Sequence, residues 1–444
     1  MLNFKKNPIF YGTLLLSCSG LICRGIGFFY HLFISQAFGA EAMGIFQLIS
    51  PILMLAFSLT CAGTQTAISR YTASCLGLKN EFRAKSFLLV GCFFSFSVAL
   101  LYSIIVYGQA ENISIYLLHE QRCVSLLKIC AISFPFSALH SCFNGYFYGK
   151  KNTKIPSLTQ ISEQLIRVGI VLFLYNYVTS QNKVPSIALT CVGMVLGEIS
   201  SFLISVLYYF LFCKTKTINF SPKEVFLSSV PSICKQLLTL SIPLTLNRVI
   251  VNLLQSYEAI SIPASLKEYG YSPKTALSIY GVLTGMALSL VLFPSTFANS
   301  VSVLLLPTIS EASSAKNYKQ IQKTIQKSIL LSLCLGFTCT FFFYINGNFC
   351  GVLLFHSKLA GKFIRQLSFL CPFLYLHITL GSVLNGLKRT TTTLFINISS
   401  LLLRLFFVIV LIPKQGIRAY LWGFLLSEVL SSLCCIYSLR KMIF

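Results

Sequence analysis

The chain contains no aspartate. Its acids are 11 glutamates, set against 35 lysines and arginines, and charged residues make up only 10% of the 444 positions. The missing aspartate excludes aspartate-based metal motifs and aspartyl-phosphate chemistry. A soluble domain carries about 25% charged residues, so this composition cannot clothe a water-soluble globule. Paired carboxylates on a large extramembrane loop, which a membrane glycosyltransferase or polymerase needs, are lacking too. Glu111, Glu120, Glu258 and Glu268 are scattered, and an enzyme is not expected. The 17 cysteines lie mostly within apolar runs, without a CxxC pair or an accompanying histidine pattern. That argues against a disulfide framework or a zinc site, and the cysteines read as small packing residues. Neither a metal nor a cofactor is expected. The stretch GYFYGKK (145–151) lacks the four-residue gap and the Ser/Thr of a phosphate loop, and it ends an apolar run. With no nucleotide domain, any transport is secondary or simply equilibrates the substrate. The first apolar run is too long for a signal-peptide core and lacks a small-residue cleavage site, so it reads as the first membrane span.

Hydrophobic residues account for 55% of the chain. Windows of 18 or more apolar residues predict an all-α, polytopic membrane protein of about twelve spans. These lie near 8–37, 42–75, 86–108, 124–148, 156–178, 186–212, 236–262, 278–307, 325–346, 366–387, 391–412 and 418–439. An even number puts both termini on one side. Basic residues concentrate two to one in one set of connecting segments. That set includes Lys5/Lys6, Lys79/Arg83/Lys85, Lys150/Lys151/Lys154, Lys214/Lys216/Lys223/Lys235, Lys316/Lys319/Lys323/Lys327, Lys388/Arg389 and Arg440/Lys441. By the positive-inside rule these segments and both termini are cytoplasmic and the protein sits in the cell membrane. The exception is loop 347–365, where Lys358, Lys362 and Arg365 fall on the opposite side. The net charge of +24 is thus mostly topology, and nucleic-acid binding is not expected.

The two halves repeat. PFSALH (135–140) recurs as PFLYLH (372–377), each followed by Asn-Gly and a basic loop. Arg167 answers Arg404, GMVLGE (193–198) answers GFLLSE (423–428), Arg24 answers Arg248, and Ile68-Ser69-Arg70 answers Ile309-Ser310-Glu311. Six weak matches in one order imply an N-terminal six-helix lobe (1–213), a basic cytoplasmic connector (214–235) and a C-terminal six-helix lobe (236–444). Both lobes start from the cytoplasm, as parallel repeats do, and the substrate site of such carriers lies in a central cavity between the halves.

An arginine near the middle of a span is unfavourable by roughly 2.5–3.5 kcal/mol on insertion scales. Arg24 and Arg248, in the first span of each half, are the loneliest. A guanidinium offers a planar fork of donors suited to phosphate. The pair would draw an anionic head group into a wet cavity, unless each is a structural arginine bonded to a carbonyl or a glutamate. Arg404 is a third candidate for substrate binding, although Glu428 on the next span could reach it. Arg167 follows Glu163 by one turn, the favourable order for a helix ion pair. Glu198 and Glu428 recur and either tie helices together or take up protons. His140 and His377 recur as core histidines.

The stretches GAEAMGIFQLISPI (39–52), AISR (67–70), LTLNRVIVNLLQSYEAISIPASL (244–266), ALSIYGVLTGMALSLVLFPSTFANSVSVLLLPTISEAS (276–313) and LIPKQGIRAYLWGFLLSE (411–428) resemble the stage V sporulation protein B family. That family belongs to the multidrug/oligosaccharidyl-lipid/polysaccharide flippase superfamily. The resemblance covers nearly the whole chain. It implies a two-lobed bundle with spans one, two, seven and eight around a central cavity, and alternating access. It also implies a lipid-linked oligosaccharide or peptidoglycan precursor as substrate, used in spore cortex formation. By position it assigns Arg24 and Arg248 to the pyrophosphate of a polyprenyl-pyrophosphate-linked saccharide. Membrane lipids and a cell-wall polymerase are the implied partners. Thr64-Gln65 stands where the family usually has Ile-Pro, which removes a kink. A cation-coupled multidrug antiporter of the same fold would want carboxylates in the first half's cavity, and the sequence has none between Glu41 and Glu81.

Overall fold

The computed structural model describes residues 8–212, 222–315 and 317–443. Every regular element among them is helical. The first helix, Pro8–Phe57, breaks at Gly39, where φ is 82° and ψ 175°, a conformation essentially reserved for glycine. The break separates α1 (8–38) from α2 (40–77), and α2 passes through a π turn at Ser58–Ala62. Next come α3 (Glu81–Gly108), α4 (Cys123–Ala131 and Ser133–Gly149, bent by 41°), α5 (Lys154–Ser180) and α6 (Ala188–Leu211). Then α7 (Pro222–Glu268), α8 (Pro273–Leu292) and α9 (Ser295–Ser314) lead to α10 (Tyr318–Phe355). The chain ends with α11 (Lys358–Gly386), α12 (Thr390–Gln415) and α13 (Ile417–Arg440).

Among the described residues, ten helices are long and apolar enough to cross a membrane, or eleven with the bent α4. The stretch Leu14–Gly77 counts once among them although its 64 residues greatly exceed a hydrocarbon core of about 30 Å at about 1.5 Å per residue. Dividing it at Gly39 gives twelve, the expected number. Large apolar side chains such as Phe93, Leu203 and Phe341 are exposed along these helices, as lipid-facing positions are. The chain is a multi-pass membrane protein.

Compactness divides the chain into two units, Met1–Ile26 with Leu48–Ser256, and Gly27–Gln47 with Tyr257–Phe444. The division therefore does not follow the sequential halves. The first unit holds most of α7, and the second takes the end of α1 and the start of α2. Lys5, Lys6, Lys214, Lys216 and Lys316, part of the basis for the orientation, lie outside the described residues, as does the start of the 214–235 connector. From Pro222 the expected connector is helix, continuous with the seventh span. Burial explains this, because Ile233 and Leu237 join the core of the first unit.

That core is built from Ile68, Phe87, Leu88, Cys142, Tyr146 and Phe147. The core of the second unit gathers Ile309, Ile325, Leu376, Leu380, Leu384 and Cys435. Cysteines fill gaps in both, and the described cysteines are free thiols. Lipid tails offer no hydrophobic drive for helix association, so close approach and hydrogen bonds hold the helices together. Ser95 Oγ donates to Thr64 Oγ1 at 2.9 Å, and Ser332 Oγ and Thr379 Oγ1 share a bond of the same length. Ser382 Oγ donates to the Ser302 carbonyl at 2.6 Å. Gly44 on α2 lies directly against the backbone of α8 at Leu277 and Gly281, where no Cβ fits.

The two PFxxLH segments have the same local construction. PFSALH opens the long part of α4 after the short helix Cys123–Ala131, and PFLYLH opens the long part of α11 after the short helix Lys358–Leu367. Each proline stands in a first turn, where its missing N–H costs nothing.

Candidate functional site

Within the first unit, α1 is laid on α5. Gly12 packs on Thr153 at the start of α5, and Cys23, three turns later, is buried within electrostatic reach of Glu163 and Arg167. The next residue, about 100° further round the helix, is Arg24, and it is exposed. Its neighbours one turn away on the same face are Gly20 and Gly27, and a Cβ at either would meet nothing within 4 Å among the described residues. Glycine inside a helix costs about 0.5–1 kcal/mol relative to alanine. Packing does not demand these two, and their effect is a bare, open face beside the guanidinium.

Arg248 is exposed near the middle of α7. One turn on, Asn252 donates to Ser58 Oγ and, at 3.4 Å, to the Met54 carbonyl. A further turn on, Ser256 donates to the Pro51 carbonyl at 3.4 Å. In the other direction, Ser241 and Thr245 press against Gly63. This register places Arg248 at the level of the π turn Ser58–Ala62. The turn lies just before Thr64-Gln65, so α2 is interrupted there without the proline that the resemblance leads one to expect. Thr60 Oγ1 bonds back to the Ala56 carbonyl at 2.7 Å, and Gln65 Oε1 accepts from Ser141 at 3.2 Å. π turns widen a helix and recur at functional positions.

Arg404 has a different setting. In the second unit its Nη2 lies 3.2 Å from Glu258 Oε2 on α7, and Tyr420 donates to Glu258 Oε1 at 3.1 Å. The guanidinium also lies over the Phe424 ring, 4.7 Å from its centroid. Its ion-pair partner is Glu258, and Glu428 acts on it only at longer range. Glu428 Oε2 instead stands 2.9 Å from His377 Nδ1, while His377 Nε2 lies 3.2 Å from Asn397 Oδ1.

The first unit carries the counterpart of this network. His140 Nδ1 is 4.0 Å from Glu198 Oε2, Asn144 Nδ2 is 3.0 Å from His140 Nε2, and Arg167 is paired with Glu163. One ligand atom each from His140, Glu163 and Glu198 lie within 4.8 Å of one another. Sequence spacing paired Glu163 with Arg167 but left His140 and Glu198 separate, because they meet only through the packing of α4, α5 and α6. Glu258 was similarly hidden, since its partner lies on α12. The repeated histidines and glutamates were the available signal. Arg70 is exposed at its end of α2, and the side chain of Glu311 lies outside the described residues.

The first unit provides two exposed guanidinium groups, on α1 and α7, and each unit by itself holds a His–Glu and Arg–Glu network. Comparison with known proteins gives the same family context as the quoted stretches. Stage V sporulation protein B of Bacillus subtilis (strain 168) is 26% identical over 435 residues, covering 96% of this chain and 83% of that protein. Among solved structures, an inward-facing multidrug resistance MATE family transporter of the MOP superfamily aligns with a TM-score of 0.73 at 13% identity, over 95% of this chain and 94% of that one. The lipid II flippase MurJ in an inward closed conformation aligns with a TM-score of 0.71 at 15% identity, over 96% and 87%. Residues 249–410 match the MatE family. The match to the polysaccharide biosynthesis protein family extends over residues 9–313, and the chain belongs to that family.

Proposed function

We propose that the chain is a flippase that carries a lipid-linked oligosaccharide or peptidoglycan precursor across the cell membrane by alternating access, with both termini cytoplasmic. The reading rests on the exposure of Arg24 and Arg248 midway along spans. An exposed guanidinium at that depth is tolerated against water or an anion and not against lipid. Two forked cations suit the pyrophosphate of a polyprenyl-linked saccharide, and the open face around Arg24 leaves room for the bulk of such a head group. Arg404, whose charge is already met by Glu258, is a structural member of the second unit in this reading. The similarity to stage V sporulation protein B supports a spore-cortex precursor as cargo and a cell-wall polymerase as its consumer. No step forms or breaks a bond in the substrate.

A cation-coupled multidrug antiporter is the second reading. The MatE match and the His140–Glu163–Glu198 cluster favour it, and the exposed arginines oppose it for cationic cargo. The deciding experiment is translocation of a fluorescent polyprenyl-pyrophosphate saccharide in proteoliposomes, run beside ethidium efflux. Transport of the lipid without ethidium supports the flippase, and the converse overturns it.

A further inference from the structure

The cations of loop 347–365 depart from the charge bias of the rest of the chain, and the structure gives them a setting. The first ten residues of α11, Lys358–Leu367, form a strongly two-faced helix capped by Ser357, whose Oγ accepts from Ala360 N at 3.2 Å. Ala360, Phe363, Ile364 and Leu367 are buried on one face. Lys358, Lys362 and Arg365 follow one another at helical spacing on the other, and all three are exposed. They line a recess of about 720 Å³ with Tyr344, Asn348 and Phe369, a size typical of small-ligand sites. Arg365 is held by the Tyr344 ring, 4.5 Å from its centroid. An adjoining recess shares Gln366 and Phe369 and adds Arg418 and Trp422, the sole tryptophan of the chain. Among the described residues, no carboxylate lines either recess. Phe349 and Leu353, exposed on the last turns of α10, put lipid-facing surface beside the cations. Tyrosine and tryptophan at the end of a span mark the level of the head groups.

We propose that this recess binds the phosphate-bearing head group of an anionic membrane phospholipid, with the acyl chains lying along α10. Four cations at head-group level with no acid among them would repel one another unless an anion joined them. Basic pockets between membrane helices take up such head groups. The apolar surface alongside favours a lipid over a soluble anion. This site is independent of the transport reading and lies wholly within the second unit.

The test is lipid retention by purified protein, read by native mass spectrometry after reconstitution in phosphatidylcholine containing phosphatidylglycerol. Each cation near an anionic head group is worth about fivefold in affinity. K358Q/K362Q/R365Q should therefore lose phosphatidylglycerol by about a hundredfold, whereas K358R/K362R keeps it. K319Q/K323Q/K327Q, on the opposite end of α10, should bind like the wild type. Folding is checked by gel filtration, and should the triple variant aggregate, the single variant K362Q replaces it with an expected loss of about fivefold. Equal retention by wild type and a folded variant overturns the proposal. So does displacement of the lipid by millimolar glycerol phosphate, which would make the recess a site for soluble anions.

Discussion

Glu258 on α7 and Arg404 on α12 form an ion pair at 3.2 Å, with side chains only 7% and 13% exposed. Removing one member of a buried pair leaves the other charge uncompensated, at about 3–5 kcal/mol. Glu258→Gln should therefore lower the thermal midpoint in detergent sharply and reduce yield. Glu258→Gln with Arg404→Met should recover most of that loss, because apolar replacement of a whole buried pair is often neutral. If the double variant is as unstable as the sum of the singles, the pair does not act as a unit.

Gly44 and Gly281 bring α2 and α8 into backbone contact, with the Gly281 position crowded by the Ala40 carbonyl and Gly44 itself. A leucine at either place has to force the helices apart. Gly281→Leu should abolish monodisperse protein, and Gly281→Ala should already lower the thermal midpoint. Gly20→Ala, placed where nothing lies within 4 Å, should match or exceed wild-type stability. Fluorescence-detected gel filtration with a temperature series checks all three. Equal stability of Gly281→Leu and wild type would refute the close contact.

Much of this architecture was legible in the sequence. Apolar runs mark the spans, and the recurrence of PFxxLH marked two helices that are built alike, each after a short preceding helix. Arg167 met Glu163 as its spacing required, because an i,i+4 pair needs only one helix. Tertiary packing hid the rest. Arg404 could have met Glu428 on the neighbouring span, and only the approach of α7 makes Glu258 its partner. The connector at 214–235 looked like a loop because it carries Pro222, Pro231 and several lysines. Burial of Ile233 and Leu237 outweighs that composition, and α7 begins at Pro222. The π turn at Ser58–Ala62 has no proline or glycine inside it to announce it.

The two-to-one basic bias predicts cytoplasmic termini. A fluorescent protein fused after Phe444 should fluoresce in cells, and alkaline phosphatase fused at the same place should be inactive. Alkaline phosphatase inserted after His356, in the exceptional loop, should be active. The reverse pattern would invert the orientation and move the α11 cations to the cytoplasmic leaflet.

Arg24 and Arg248 distinguish a binding role from a structural one most sharply. Both are exposed, at mid-span, on helices of the same unit, whereas Arg167 and Arg404 are paired with Glu163 and Glu258. A charge-assisted hydrogen bond contributes about 1.5–3 kcal/mol, so Arg24→Ala or Arg248→Ala should weaken binding of a polyprenyl-pyrophosphate saccharide by about one to two orders of magnitude. Stability should change little, because both side chains are exposed and exposed substitutions usually stay within about 0.5 kcal/mol. Lysine should rescue only in part, since it keeps the charge and loses the fork. Arg167→Ala should do the opposite, lowering thermal stability because the partly buried Glu163 loses its cationic partner. Binding in detergent, translocation in proteoliposomes and thermal midpoint, measured on the same preparations, separate the two effects. Wild-type transport in the folded Arg24→Ala and Arg248→Ala variants would show that the two arginines do not hold the substrate.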